Sequence, residues 1–414
     1  MLARGDRWAR PSSMSDSRAE CLSRLASSNS VVSRRRTGAP VRRVRTVTGD
    51  SCYVPPRMIM KQRMRGVNLG GWFSQIDAVQ GNDPDSFPGE EQHLATFLGA
   101  EDFARIRGWG FDHVRLPVDY FNVFAKDTLA PNERVLVQLD QAIAALQAAG
   151  LDVIFDLHKS PGHDFHEGAK NAQALFHDPA VNAKMKRVWA YLAERYGASG
   201  RIVLELLNEP VAEDAKTWDS FKSDLAAHIR KHAPKAPLLI GSNRWNHPDT
   251  FAELTPVDDD NVIYSFHFYA PLLFTHQKAP WIQGDVFTVS RPYPGDYTLP
   301  PGTTHRLPLD PGVWGRERMA EQMEPVVAFQ QRHSVPVACN EFGVYVGGAD
   351  RASQLRWMAD FMALLKERDF GFSYWNYKNL DFGLVSKNEH RFAGYAQYRA
   401  NGIDQELADV LRAG

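Results

Sequence analysis

The chain has 414 residues, 43% of them hydrophobic and 23% charged, with a formal net charge of −1, the balance of a globular protein able to bury a large core. So even a charge sets up no bulk field for nucleic acid or an anionic membrane, and no run approaches the roughly 20 apolar residues of a membrane span. Three cysteines, Cys21, Cys52 and Cys339, make neither a disulfide framework nor a zinc pattern.

The charge is unevenly placed. Residues 1–57 hold twelve Arg, no Lys and four acids (Asp6, Asp16, Glu20, Asp50), a net +8 that leaves −9 on the remainder. Rich in Ser and Arg and without hydrophobic periodicity, residues 1–62 are expected to be a disordered extension. The preferred reading is a start assigned too far upstream, with Met58, Met60 or Met64 as the true beginning. A polyanion-binding arm and an Arg-rich targeting segment are the alternatives. No apolar signal-peptide core is readable near the terminus, which leaves localisation open.

From residue 63 the pattern becomes regular. Strands are predicted at 64–69, 112–117, 151–158, 202–208, 238–242, 262–269, 336–341 and 371–376. Several are near-continuous apolar runs, as parallel strands covered by helices require. Helical spacing links Leu136, Leu139, Ile143 and Leu146 before Gly150, and Val181, Met185, Val188, Trp189 and Leu192 before Gly197. Phe221, Leu225 and Ile229 mark a third helix, and Met358, Phe361, Met362 and Leu365 another. Eight βα alternations predict an α/β fold, a (β/α)8 TIM barrel forming one domain over 63–414, with a doubly wound sheet as the alternative.

Two connections are long. Residues 270–316 hold eight of the 25 prolines together with Trp281, Tyr293, Tyr297 and Trp314. Following the sixth strand, they are expected to rise over the C-terminal rim, where barrel sites lie. Residues 159–178 are a second expected cleft wall.

Reactive groups gather at the strand ends: Arg115 at the second, His158 at the third, Asn208 and Glu209 at the fourth. His267 and Tyr269 stand at the sixth, Glu341 at the seventh and Trp375 at the eighth. A barrel interior needs apolar filling, so charges there belong at the mouth. Two carboxylates suit glycoside hydrolysis if one keeps its proton and the other is ionised. Arg115 and Tyr269 are expected to hold Glu341 ionised, and apolar walls and His267 to keep Glu209 protonated. The predicted separation is about 5–5.5 Å, the retaining geometry.

The runs RGVNLGGW (65–72), VRLP (114–117), DLH (156–158), LNEP (207–210), HFY (267–269), NEFG (340–343) and YW (374–375) resemble, in the same order, those of glycoside hydrolase family 5. That family of barrel hydrolases includes cellulases, mannanases and exo-1,3-glucanases, and the likeness spans residues 63 to about 385. It implies Glu209 as acid/base, Glu341 as nucleophile, and Asn208 on the sugar 2-hydroxyl. Arg115, His158, His267 and Tyr269 would position and tune the carboxylates, and Trp375 would stack under the sugar at the cleavage point. No cofactor or metal is implied. RGVNLGGW is similar to exo-1,3-glucanases and HFYAPLLFTHQ to bacterial endoglucanases, so the linkage stays open: β-1,4-glucan first, β-1,3-glucan second, mannan a further alternative. The family is often exported. The expected partner is an oligo- or polysaccharide, with no nucleic acid and no membrane, and a monomer is expected.

Other candidates read as support. Glu205 shares parity with Glu209 four residues deeper and is expected as a buried carboxylate under the site. Asp156 is expected to be structural. His163, Asp164, His166 and His177 read as cleft lining or solvated loop before a metal set, Cys339 as a barrel-interior hydrophobe, and Asp77, Asp83, Asp85, Glu90 and Glu91 as a solvated acidic loop. Trp72 and Trp281 stand between sugar platform and packing. Two other readings make distinct predictions: a non-catalytic sugar-binding barrel would lack one carboxylate, and a polyanion-binding protein would act through the Arg-rich head with salt-sensitive affinity.

Overall fold

The computed structural model describes residues 64–82, 87–164, 173–305, 307–386 and 397–414. The extension 1–62, with Cys21, Cys52, Met58 and Met60, lies outside the described residues, as do Asp83, Asp85 and His166.

Eight parallel strands close into a barrel. They are β1 (Arg65–Asn68), β2 (His113–Asp119), β3 (Asp152–Lys159), β4 (Ile202–Glu205), β5 (Leu238–Gly241), β6 (Val262–Phe268), β7 (Val337–Phe342) and β8 (Gly371–Tyr374). Every predicted strand is present. Closure falls at β1, where Val67 is in register with Val114 on one side and Tyr374 on the other. Ile154, Val203, Leu239, Ile263 and Ala338, one from each of five consecutive strands, pack with Met64 as the apolar filling of the interior.

Among the described residues the helices of nine residues or more cover the outside: α1 (Ala100–Gly108), α2 (Glu133–Ala148), α3 (Pro179–Tyr196), α4 (Ala215–His232), α5 (Glu324–His333), α6 (Arg351–Glu367) and α7 (Gln405–Ala413). Four of them start on an aspartate that accepts from a backbone N–H of the first turn, namely Asp178, Asp214, Asp350 and Asp404. The eighth expected alternation is missing. After β5 the chain has only a distorted turn, Asn243–Asn246, and the 3-10 turn Pro248–Ala252. Pro248, Pro256 and the run Asp258–Asp260 leave no uninterrupted stretch for a helix in that short connection.

The 270–316 connection is anchored, not loose. Tyr293, Tyr297 and Trp314 are fully buried, Tyr293 donates to Asp360 of α6 at 2.9 Å, and a two-residue ribbon pairs Gly295–Asp296 with Val313–Trp314. Among the described residues no helix is long and apolar enough to cross a membrane.

Candidate active site

The site grows from one buried cation. Arg115, enclosed on β2, gives Nε and Nη2 to the two oxygens of Glu205 at 2.7 and 2.8 Å, and Nη2 also reaches Asp156 at 2.9 Å. Nη1 donates to Asn68 at 2.9 Å and to Glu341, and Nη2 donates to Asn208 Oδ1 at 2.8 Å. Strands β1, β2, β3, β4 and β7 are thus tied together by one guanidinium, whose planar fork suits several acceptors at once. Burial raises Asp156 and Glu205 to about 7 each, against the pull of Arg115.

Glu205 takes the supporting place expected of it, and Asn340 Nδ2 adds a hydrogen bond to it at 2.8 Å. Asp156 corrects the reading of it as merely structural. It shares strand parity with His158, faces inward, and bonds both Arg115 and His158 Nδ1, the latter at 2.7 Å. Cys339 is corrected too. The β6–β7 register slips between Phe266 and His267, making Asn340 the extra residue of β7. Asn340 and Glu341 therefore both serve the site, Ala338 joins the interior layer, and Cys339 packs in the larger cluster.

Glu341 receives Arg115 on Oε1 and the Tyr269 hydroxyl on Oε2 at 3.1 Å. Across from it, Glu209 Oε1 lies 2.8 Å from His267 Nδ1, and the same nitrogen is 3.6 Å from Glu341 Oε2. An oxygen of each glutamate and the His267 nitrogen lie within 4.8 Å of one another. Two carboxylates that share one histidine nitrogen fit the nearer, retaining arrangement better than the roughly 6.5–9.5 Å of inverting pairs. Three such side chains can also ligate a metal, yet Arg115 and Tyr269 already occupy both oxygens of Glu341 and set a cation beside it.

Electrostatics separate the two acids. Burial, then the neighbouring Glu341 charge, raises Glu209 well above the carboxylate range. Burial raises Glu341 as well, but the directly bonded Arg115 opposes it, so Glu341 ionises first. Burial holds His267 far below its ordinary value, so the ring is neutral. A neutral ring donating Nδ1–H to Glu209 Oε1 leaves Oε2 to carry the proton.

The Glu209 backbone is in the left-handed region at φ 44, before Pro210, which disfavours the ordinary helical alternative. Beneath it His163, buried and kept neutral near 4 by that burial, donates from Nε2 to the carbonyls of Asn208 and Glu209 at 3.1 Å each. His163 is thus a buried strut under the site and not a solvated loop residue. Asp164 pairs with Lys159 at 2.8 Å, and His177 meets Glu213 at the surface, so these three do not converge.

Trp375 lies parallel to His158, with centroids 5.6 Å apart. A Cβ on Gly70 would fall 2.7 Å from the Trp375 ring, which explains a glycine in the RGVNLGGW run. Trp72 is core: it is 3% exposed, donates to the Leu94 carbonyl and packs on Phe73 and Phe103. The cleft of ≈ 500 Å³ is lined by Glu209, Glu341, His267, Tyr269, His158 and Trp375, together with Trp245, His276 and Trp281. Trp245 and His276 escaped the sequence reading; the first sits in a left-handed run, Arg244 to Asn246, that no periodicity marks. Asp77, Glu90 and Glu91 are solvent-exposed, as expected.

The family model Cellulase (glycosyl hydrolase family 5) matches residues 79–381. Endoglucanase C of Acetivibrio thermocellus is 32% identical over 356 residues, 84% of this chain and 97% of that protein. Cellodextrinase A of Ruminococcus flavefaciens is 30% identical over 297 residues, 71% of this chain and 79% of that one. Among solved structures, endoglucanase Cel5A of Thermotoga maritima superposes with a TM-score of 0.63 at 21% identity, covering 84% of this chain and 96% of that chain.

Proposed function

The chain belongs to the cellulase family, glycosyl hydrolase family 5, and cleaves O-glycosyl bonds; from that premise we propose a retaining endo-β-1,4-glucanase with Glu341 as nucleophile and Glu209 as acid/base. The observation that carries the roles is the pair of glutamates with oxygens within 4.8 Å of each other, Glu341 bonded through Oε1 to Arg115 and Glu209 through Oε1 to neutral His267.

Glu341 attacks the anomeric carbon while Glu209 protonates the departing oxygen, forming a glycosyl ester on Glu341. Proton loss leaves Glu209 anionic as Glu341 loses its charge to the ester, so the mutual repulsion that raised Glu209 disappears. Glu209 then takes a proton from water, and the hydroxide displaces Glu341 with net retention. Asn208, whose Oδ1 is fixed by Arg115, keeps Nδ2 without a partner among the described residues, a donor suited to the sugar 2-hydroxyl. Trp375 offers its face to the same ring. The relative named endoglucanase supports internal cleavage of a glucan, and the relative named cellodextrinase supports a cellulose-type, β-1,4-linked substrate.

The test is Glu341→Ala assayed on β-1,4-, β-1,3-glucan and mannan oligosaccharides, with product anomers followed by NMR. Wild type is expected to prefer the β-1,4 series and to release the β-anomer first, and the variant to lose on the order of 10⁴-fold or more. Wild-type-like turnover in the variant would refute the role, and an α-anomer first product would refute retention.

A further inference from the structure

His163 reaches the Glu209 carbonyl from a short turn, 159–164, that carries its own fastening. Lys159 ends β3, and the chain then reverses. The Ser160 N–H donates to the His163 carbonyl at 3.1 Å, and the His163 N–H returns to the Ser160 carbonyl at 3.0 Å. Pro161 and Gly162 form the tip, with Gly162 in the left-handed region at φ 73, as a Pro-Gly turn of this kind requires. A Cβ on Gly162 would fall 2.2 Å from Val181 Cγ1, so the tip is pressed onto α3.

Where the two arms leave the turn, Lys159 Nζ and Asp164 Oδ2 meet at 2.8 Å, with side chains 10% and 26% exposed. A pair drawn this far out of water is harder to break than one on the open surface. Burial works against the ammonium charge. The hydrogen bond to Asp164 and the charges of Asp119, Asp164 and Asp77 outweigh it and hold Lys159 above its ordinary range. Of these acids Asp164 belongs to the turn, while Asp119 ends β2 and Asp77 follows β1.

The contacts run in one line from the ion pair to the acid. Asp164 holds Lys159, the closed turn carries the buried His163, and His163 Nε2 lies 3.1 Å from the carbonyls of Asn208 and Glu209. The other ring nitrogen, Nδ1, is enclosed and has no hydrogen-bond partner among the described residues. No second polar contact there fixes the ring, so its place depends on the turn that bears it.

We propose that Lys159 and Asp164 are positioning residues for the acid/base: their ion pair closes the turn that sets His163 under Glu209, and so aims the Glu209 carboxyl at the leaving oxygen. This role rests on the assignment of Glu209 above, and neither residue has to touch the sugar.

Two substrates separate the cases. A cello-oligosaccharide departs as an alcohol and needs the Glu209 proton, whereas dinitrophenolate leaves an aryl β-cellobioside without one. Asp164→Ala is expected to lower kcat/KM about 10-fold on the oligosaccharide and less than about 2-fold on the dinitrophenyl glycoside. Asp164→Asn, whose amide oxygen still accepts from Lys159, should recover part of the loss. In a His163→Ala protein, Asp164→Ala should have no further effect, because the line is already cut. A misfolded fraction or a reshaped cleft would instead lower both substrates alike and add to the loss from His163→Ala. Either result, or no loss at all, overturns the positioning role and leaves that of Glu209 intact. Glu209→Ala is the control: if it does not lose the oligosaccharide far more than the dinitrophenyl glycoside, the acid/base assignment falls and this role with it.

Discussion

The imidazole of His163 donates to the backbone carbonyl of Glu209, its Nε2 lying 3.1 Å from that oxygen and 3.1 Å from the carbonyl of Asn208. It spans the one residue at the cleavage point whose backbone is in the left-handed region. Such a conformation costs on the order of 1–3 kcal/mol and survives only where its surroundings impose it.

His163→Ala should therefore let the Asn208–Glu209 turn relax and swing the carboxyl away from the leaving oxygen. The expected result is a kcat reduced roughly 10- to 100-fold with KM changed far less, because displacement of a catalytic group by about 1 Å carries that penalty. Steady-state kinetics decide it. A proportional rise in KM would mean that His163 shapes the cleft instead of the acid.

The Glu205 charge is one of those that raise Glu209. Glu205→Gln keeps the volume and an acceptor for Arg115 but removes that charge, so Glu209 gives up its proton at lower pH. Since the reaction needs Glu209 protonated, the alkaline limb of kcat/KM should move to lower pH, and the pH–rate profile checks this. Glu205→Ala is a different experiment. It leaves the buried guanidinium short of a partner and should cost about 3–5 kcal/mol of stability, seen in denaturant melts.

Legibility followed period and strand position. All eight strands could be read because buried parallel strands are short apolar runs between turn signals, and the reactive residues stand where each run ends. The missing helix after β5 was not foreseen, since a barrel count presumes it and only Pro248, Pro256 and the run Asp258–Asp260 mark its absence. Parity failed at Cys339, where a bulge at Asn340 reversed the facing that Glu341 implied. At Asp156 the alternation held: two residues before His158, it faces Arg115, so reading it as structural missed its part in the site. His163 was unreadable for another reason: its contacts are with carbonyls 45 and 46 residues away, and a loop histidine carries no local sign of that.

Gly70 and Trp375 form a second close pairing. A Cβ at Gly70 would lie 2.7 Å from the indole and 3.0 Å from Leu380 Cδ1. Gly70→Ala must push the ring, which is itself parallel to His158. The expected consequence is a roughly 10-fold loss in kcat/KM with the melting temperature little changed, together with an altered near-UV circular dichroism signal from the displaced tryptophan. Kinetics unchanged from wild type would show that Trp375 yields without cost.

Stability should depend on pH through Asp119. Burial raises this carboxyl to about 7, with Lys159 opposing and Asp164 and Asp77 adding to the rise, while the Gln75 N–H holds one oxygen and the other has no partner among the described residues. In the unfolded chain an aspartate titrates near 3.9. The folded state therefore binds the proton more tightly, and stability from this group is fully present below about pH 4 and is lost as pH rises through about 7. Asp119→Asn keeps an acceptor for Gln75 and removes the titration. Its melting temperature should exceed that of wild type at pH 8 and converge toward it at pH 5, the two curves separating across the window between. If the difference were the same at both pH values, the charge on Asp119 would not be what destabilises the alkaline form, and the lone pair left unpaired behind Gln75 would have to be satisfied in the folded protein.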